Sequence, residues 1–135
     1  MSKKIDHAKH NESVCNFISH KQDFADWVVT TAFYSAIHFV DHKIFPKSVS
    51  TSDGKKFKVK CIDEYRNITS PTKERHAVRN DLVKSELSEI SYKFHWLYST
   101  CRTARYINFE FPEPRAVSQM AKEYLQYIKG ICDSK

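Results

Sequence analysis

Three groups of side chains have types and spacing that could do chemistry. His76, Arg79 and Asn80 lie three and four residues apart, so on a helix they share one face. Histidine moves protons near neutral pH, and arginine holds a phosphate through two bonds and stabilises developing negative charge. That combination suits metal-free phosphodiester cleavage. RNA brings its own nucleophile, the 2′-hydroxyl, and the protein need add only a proton acceptor, a proton donor and a cation. The competing reading of the same three residues is a solvated charged face.

Tyr34, His38 and His42 follow at intervals of one turn inside an otherwise apolar stretch. Polar rings there are costly to bury unless hydrogen-bonded, so each histidine either packs and donates one bond or belongs to a site. Tyr98, Arg102 and Arg105 form a third stripe, with Tyr106 beside it. Arginines one turn apart among aromatic rings can grip phosphate while the rings stack on bases. They can equally snorkel from the edge of a bundle or sit in a dimer interface.

Metal chemistry has less support. His38-x3-His42 has ligand spacing on a helix, but Phe39 follows His38 where a metalloprotease places glutamate, and a third ligand would have to come from elsewhere, such as His76 or Asp41. His7-x2-His10 is weaker still. The four cysteines, Cys15, Cys61, Cys101 and Cys132, show no CxxC spacing and read as reduced, mostly buried thiols. No metal and no cofactor is expected.

Such residues need elements to hold them. The 135 residues include two Gly and four Pro, against roughly sixteen for average usage. Their scarcity favours helices over an all-β sandwich and leaves no glycine pair for a phosphate-binding loop, which excludes Walker-type NTPases and dinucleotide-binding Rossmann domains. With 41% apolar and 13% aromatic residues the chain can bury a core as one domain, 1–135.

The periodicity predicts an all-α fold, a five-helix, mostly antiparallel bundle. A first helix spans 5–20 with Val14, Phe17 and Ile18 inward, extended backward by His10, Asn11 and His7. Asp23 caps a second, which has Asp26 in its first turn and runs to Ile44. It buries Ala25, Val29, Ala32, Phe33, Ala36, Val40 and Ile44, and carries Trp27, Thr31, Tyr34, His38 and His42 on a second stripe, as a central helix would.

Residues 45–70 form a long connection. There Phe57, Val59 and Cys61 could alternate in a strand, or Val59, Ile62 and Tyr65 could form a helical face. Ser70-Pro71 starts a third helix ending near Lys84. A fourth runs over 86–108 on Ile90, Phe94, Leu97, Cys101 and Ala104. A fifth opens at Pro114, buries Val117, Met120, Ala121, Tyr124, Leu125 and Ile128, and stops at Gly130.

The net charge is +6, and its excess falls in the middle: residues 47–84 hold ten basic and five acidic side chains, while the flanking parts are nearly balanced. A local basic excess points to a polyanion such as RNA or a nucleotide. No stretch of about 18 apolar residues occurs and no leader pattern opens the chain, so no membrane span and a cytoplasmic location are expected.

Trp27, Ala32-Phe33-Tyr34 and His38 on a central helix, a long connection, His76-x-x-Arg79-Asn80-x-Leu82-Val83 and then Tyr98-x3-Arg102-x2-Arg105-Tyr106 resemble the HEPN superfamily over residues 10–110. The resemblance implies a small helical bundle that commonly dimerises. It also implies either a metal-independent endoribonuclease of toxin–antitoxin, phage-defence or RNA-processing type, or a non-catalytic nucleotide- or RNA-binding or protein-interaction module. The family's catalytic signature is Arg, four to six residues, then His. No arginine here is followed by histidine at that spacing, and the nearest arrangement is the reversed pair His76-x-x-Arg79.

Under the ribonuclease reading His38 and His76 share acid–base work and Arg79 stabilises the phosphorane-like charge. Tyr34, Asn80, Tyr98, Arg102 and Arg105 hold RNA, and the 47–84 region gathers it. The expected partners are RNA or a nucleotide, a second copy of the chain, or a protein encoded nearby.

Overall fold

A computed structural model describes residues 3–133. Six helices follow in order: α1 (Lys3–Ile18), α2 (Ala25–Ile44), α3 (Ile62–Thr69), α4 (Arg75–Glu86), α5 (Ser91–Tyr106) and α6 (Pro114–Cys132), with short 3-10 turns before α2 and α5. The described chain is mostly helical, as expected, but it has a helix more than the five anticipated. The extra one lies in the 45–70 connection. There each reading holds in part: strands β1 (Lys47–Ser50) and β2 (Lys56–Val59) pair antiparallel with Val49 opposite Phe57, leaving Cys61 outside the strand, and α3 follows with Ile62 and Tyr65 but without Val59. Gly54 turns the hairpin at φ +85, a left-handed backbone that favours glycine.

α2 is the centre of the molecule. It packs on α1, α5 and α6, and its apolar side chains are buried on nearly every side, Val28, Val29, Ala32, Ala36, Phe39 and Val40 completely. A helix apolar around most of its circumference is stable only when wrapped in this way. The stripe through Trp27, Thr31, Tyr34, His38 and His42 is its least covered side. On α5 the expected stripe Ile90, Phe94, Leu97, Cys101 and Ala104 is buried throughout.

Several local expectations are corrected. α1 buries Ile5, Ala8, Glu12 and Cys15, while Val14 and Phe17 are exposed. The short Ala8 and Cys15 let the helix lie close on α2, where Ser35 Oγ donates to the Ala8 carbonyl at 2.7 Å. Glu12 is held there by Gln126 Nε2 at 2.7 Å and Lys129 Nζ at 3.0 Å, both from α6. Asp23 does not cap α2. It lies in the preceding 3-10 turn, so the cap position falls on Phe24, with no side-chain capping bond.

Ser70-Pro71 does not open a helix, because Ser70 closes α3 through its amide to the Arg66 carbonyl, and α4 begins only at Arg75. The break between α4 and the next helix falls at Leu87, so α5 starts five residues later than the expected 86. Gly130 lies inside α6, which continues to the fully buried Cys132; docking of that last turn outweighs the weak helix propensity of glycine.

Candidate functional site

α2, α4 and α5 meet around Phe33, a buried ring of α2. Its centroid lies 5.8 Å from His76 of α4 and 5.7 Å from both Phe94 and Tyr98 of α5. His76 and Tyr98 also contact each other at 5.6 Å. Above this aromatic floor opens a groove of about 220 Å³, lined further by Tyr34 and Cys101 and edged by Glu74, Arg102, Arg105 and Tyr106. The rings of the floor meet at tilted angles of 46° to 57°.

The two arginines are exposed and rest on rings. Arg102 Nη1 donates to the Tyr98 hydroxyl at 3.0 Å, with its guanidinium carbon 5.7 Å from that ring's centre. Arg105 lies 5.4 Å over Trp27 of α2. Among the described residues neither forms an ion pair. The bond to Tyr98 pushes the Arg102 pKa up, so its charge is permanent. Resting on rings cuts the freedom a guanidinium loses when it takes an anion.

His76 is half-buried and its pKa is lowered, first by burial and then by the neighbouring Arg79 and Arg75. Its Nδ1 is enclosed without a hydrogen-bond partner. An imidazolium donates from both nitrogens, and nothing accepts at Nδ1, so enclosure and charge both favour the neutral ring.

The groove brings together Tyr34, His76, Tyr98, Arg102 and Arg105. It does not include the other three expected residues. Arg79 is buried and forked onto Asp41 of α2, Nε to Oδ1 at 2.9 Å and Nη2 to Oδ2 at 3.0 Å. That bidentate pair ties α4 to α2 and occupies the guanidinium that was expected to meet a phosphate. His38 packs edge-on against His7 of α1 at 4.9 Å, and its pKa is lowered by burial first and by His7 second. Asn80 lines a separate hollow between α4 and α5, with Lys84 and His95.

Three features are invisible to spacing alone. Asp41 stands on a buried face of α2, where a carboxylate demands a cation; that demand is the available signal for Arg79. Glu74 joins the groove from the start of α4, and nothing in its spacing marks it. The basic excess of residues 47–84 does not form the groove: Lys47, Lys73, Arg75 and Arg79 are ion-paired with Glu86, Asp81, Asp63 and Asp41, and the exposed Lys55, Lys56 and Lys58 belong to the hairpin. The arginines of the groove come instead from α5, in the stretch 85–135 whose total charge is nearly balanced.

Among the described residues no three His, Cys, Asp or Glu side chains are gathered to hold a metal ion, and no helix is long and apolar enough to cross a membrane. No family model matches the chain, and no curated protein or solved structure does either.

Proposed function

We propose that the groove between α2, α4 and α5 binds RNA or a nucleotide, with Arg102 and Arg105 on phosphate and the tyrosine rings against the base. The observation that carries this is the pair of exposed arginines, each resting on an aromatic ring and neither matched by a carboxylate, at the mouth of an aromatic-floored groove. Charge-assisted bonds to the arginines contribute about 1.5–3 kcal/mol each, and stacking on an aromatic ring about 1–3 kcal/mol per base. The reading agrees with the HEPN resemblance, whose members include RNA-binding and RNA-cleaving bundles. The test is fluorescence anisotropy of a labelled single-stranded RNA across a salt series. Binding should weaken steeply with salt, and Arg102→Ala with Arg105→Ala should remove most of it; undiminished affinity in the double variant overturns the assignment.

A second reading, metal-independent cleavage, is favoured by the neutral His76 beside Arg102. In that reaction water takes the proton of the 2′-hydroxyl, the 2′-oxygen attacks phosphorus, and the neutral His76, with Nδ1 bare, donates its Nε2–H to a phosphoryl oxygen. The 5′-oxygen leaves with a proton from water, and a 2′,3′-cyclic phosphate remains. Arg102 offsets the charge building on the phosphoryl oxygens. Turnover in the presence of a chelator, lost in His76→Ala while RNA binding persists, supports it; binding without any turnover leaves the groove a recognition site.

A further inference from the structure

Glu74 is the only acidic side chain lining the groove among the described residues, and the fold makes little use of it. It occupies the N-cap of α4 yet forms no capping hydrogen bond, and glutamate is not among the residues that cap well. Its sequence neighbours are already matched, Lys73 to Asp81 at 3.0 Å and Arg75 to Asp63 at 2.9 Å, and across the groove its charge acts on Arg102 and His76 without a bonded pair to either. Its position near the positive end of α4 would favour a carboxylate just as well outside the groove. A carboxylate repels phosphate, so the phosphates of a bound nucleotide belong to Arg102 and Arg105, and the base edge is what remains for Glu74.

Resting on the nucleotide-binding reading of this groove, we propose that Glu74 selects guanine. An ionised carboxylate only accepts hydrogen bonds. Guanine alone offers two adjacent donors on its pairing edge, N1–H and an N2–H, and these match the two carboxylate oxygens in a parallel pair. Adenine and cytosine set one donor beside a lone pair. Uracil sets one donor between two carbonyl oxygens, which would oppose the carboxylate.

The experiment is displacement of a labelled single-stranded RNA by GMP, IMP, AMP, CMP and UMP. GMP should compete at least about tenfold better than AMP, the span expected of one well-formed bidentate contact. IMP, which lacks the N2 amine, should fall between them. In Glu74→Gln one acceptor becomes a donor, and the GMP-to-AMP ratio should drop to about one, with a thermal melt confirming that the variant is folded. Equal competition by all five, preference for another base, or a guanine preference that survives in Glu74→Gln overturns the selection while leaving the groove as a binding site. Failure of RNA and every nucleotide to bind overturns both.

Discussion

Arg79 and Arg102 differ in almost everything except residue type. The side chain of Arg79 is 5% exposed and its partner Asp41 is 8% exposed, with both oxygens of the carboxylate engaged. Arg102 and its neighbour Arg105 are exposed, are held by rings rather than carboxylates, and face an open groove. The first pair joins α2 to α4; the second leaves its charge for a ligand. What an arginine does here is decided by whether a carboxylate lies within reach on the neighbouring helix, and sequence position does not disclose that. Dry pairing makes an arginine part of the architecture, and an aromatic ring holds one in place without neutralising it.

Removing Arg79 should produce the largest effect on stability. Arg79→Ala strands the Asp41 carboxylate inside the protein and should lower the unfolding free energy by about 3–5 kcal/mol, read by urea denaturation. Replacing both partners, Asp41→Leu with Arg79→Leu, should recover most of that deficit, because a buried pair contributes little beyond an apolar equivalent. A mild single variant would place Arg79 among the functional arginines and erase the contrast.

Arg102→Ala and Arg105→Ala should do the reverse. Each should leave stability within about 0.5 kcal/mol and weaken RNA binding by about 1.5–3 kcal/mol. The salt dependence should also flatten: on a single strand the logarithmic slope falls by about 0.7 for each phosphate that is no longer neutralised. An unchanged slope would show that these arginines do not meet phosphate.

The same contrast explains how much the sequence discloses. The apolar stripes of α2 and α5 are legible because burial imposes a helical period over many residues, and Phe94, Leu97 and Cys101 keep it without interruption. The stripe Tyr98, Arg102, Arg105 is legible as a face for the same reason, and Tyr34 and His76 join it in the groove. Hydropathy picks the wrong face of α1 because Phe17 outweighs Ala8 in hydrophobicity, whereas the packing selects the smaller side chain for close approach. The separation of His38, Arg79 and Asn80 from the groove is not legible. For Arg79 it depends on a contact with Asp41, 38 residues away, for His38 on His7 of α1 and for Asn80 on the hollow shared with His95 of α5, and spacing along one helix carries no information about the next.

The two histidines extend the comparison to pH. Both His38 and His76 have folded-state pKa values below the usual 6.5, each through burial first. As pH falls through that value the unfolded chain takes up protons that the folded chain refuses. Stability should therefore decline from neutral pH downward until the folded values are passed, and His38→Gln or His76→Gln should shrink the decline. Ligand separates the two. A bound phosphate near Arg102 should raise the His76 pKa, seen by NMR titration of the ring protons, and leave His38, against His7, where it was. Equal movement of both would mean that the ligand sits nearer the Asp41–Arg79 pair than the groove does.

The smallest expected effect is at Asn80. It sits on α4 one turn beyond His76, as the shared-face expectation requires, but it lines the hollow with Lys84 and His95 rather than the groove. A helix face wide enough to hold both residues is also wide enough for them to meet different neighbours: α5 contributes Tyr98 to one hollow and His95 to the other. Asn80→Ala should therefore leave RNA affinity within about twofold, since a surface change remote from the contact is usually worth under about 0.5 kcal/mol. A drop comparable to that of Arg102→Ala would extend the binding surface into the second hollow, and Lys84 would then join Arg102 and Arg105 as a cation available to phosphate.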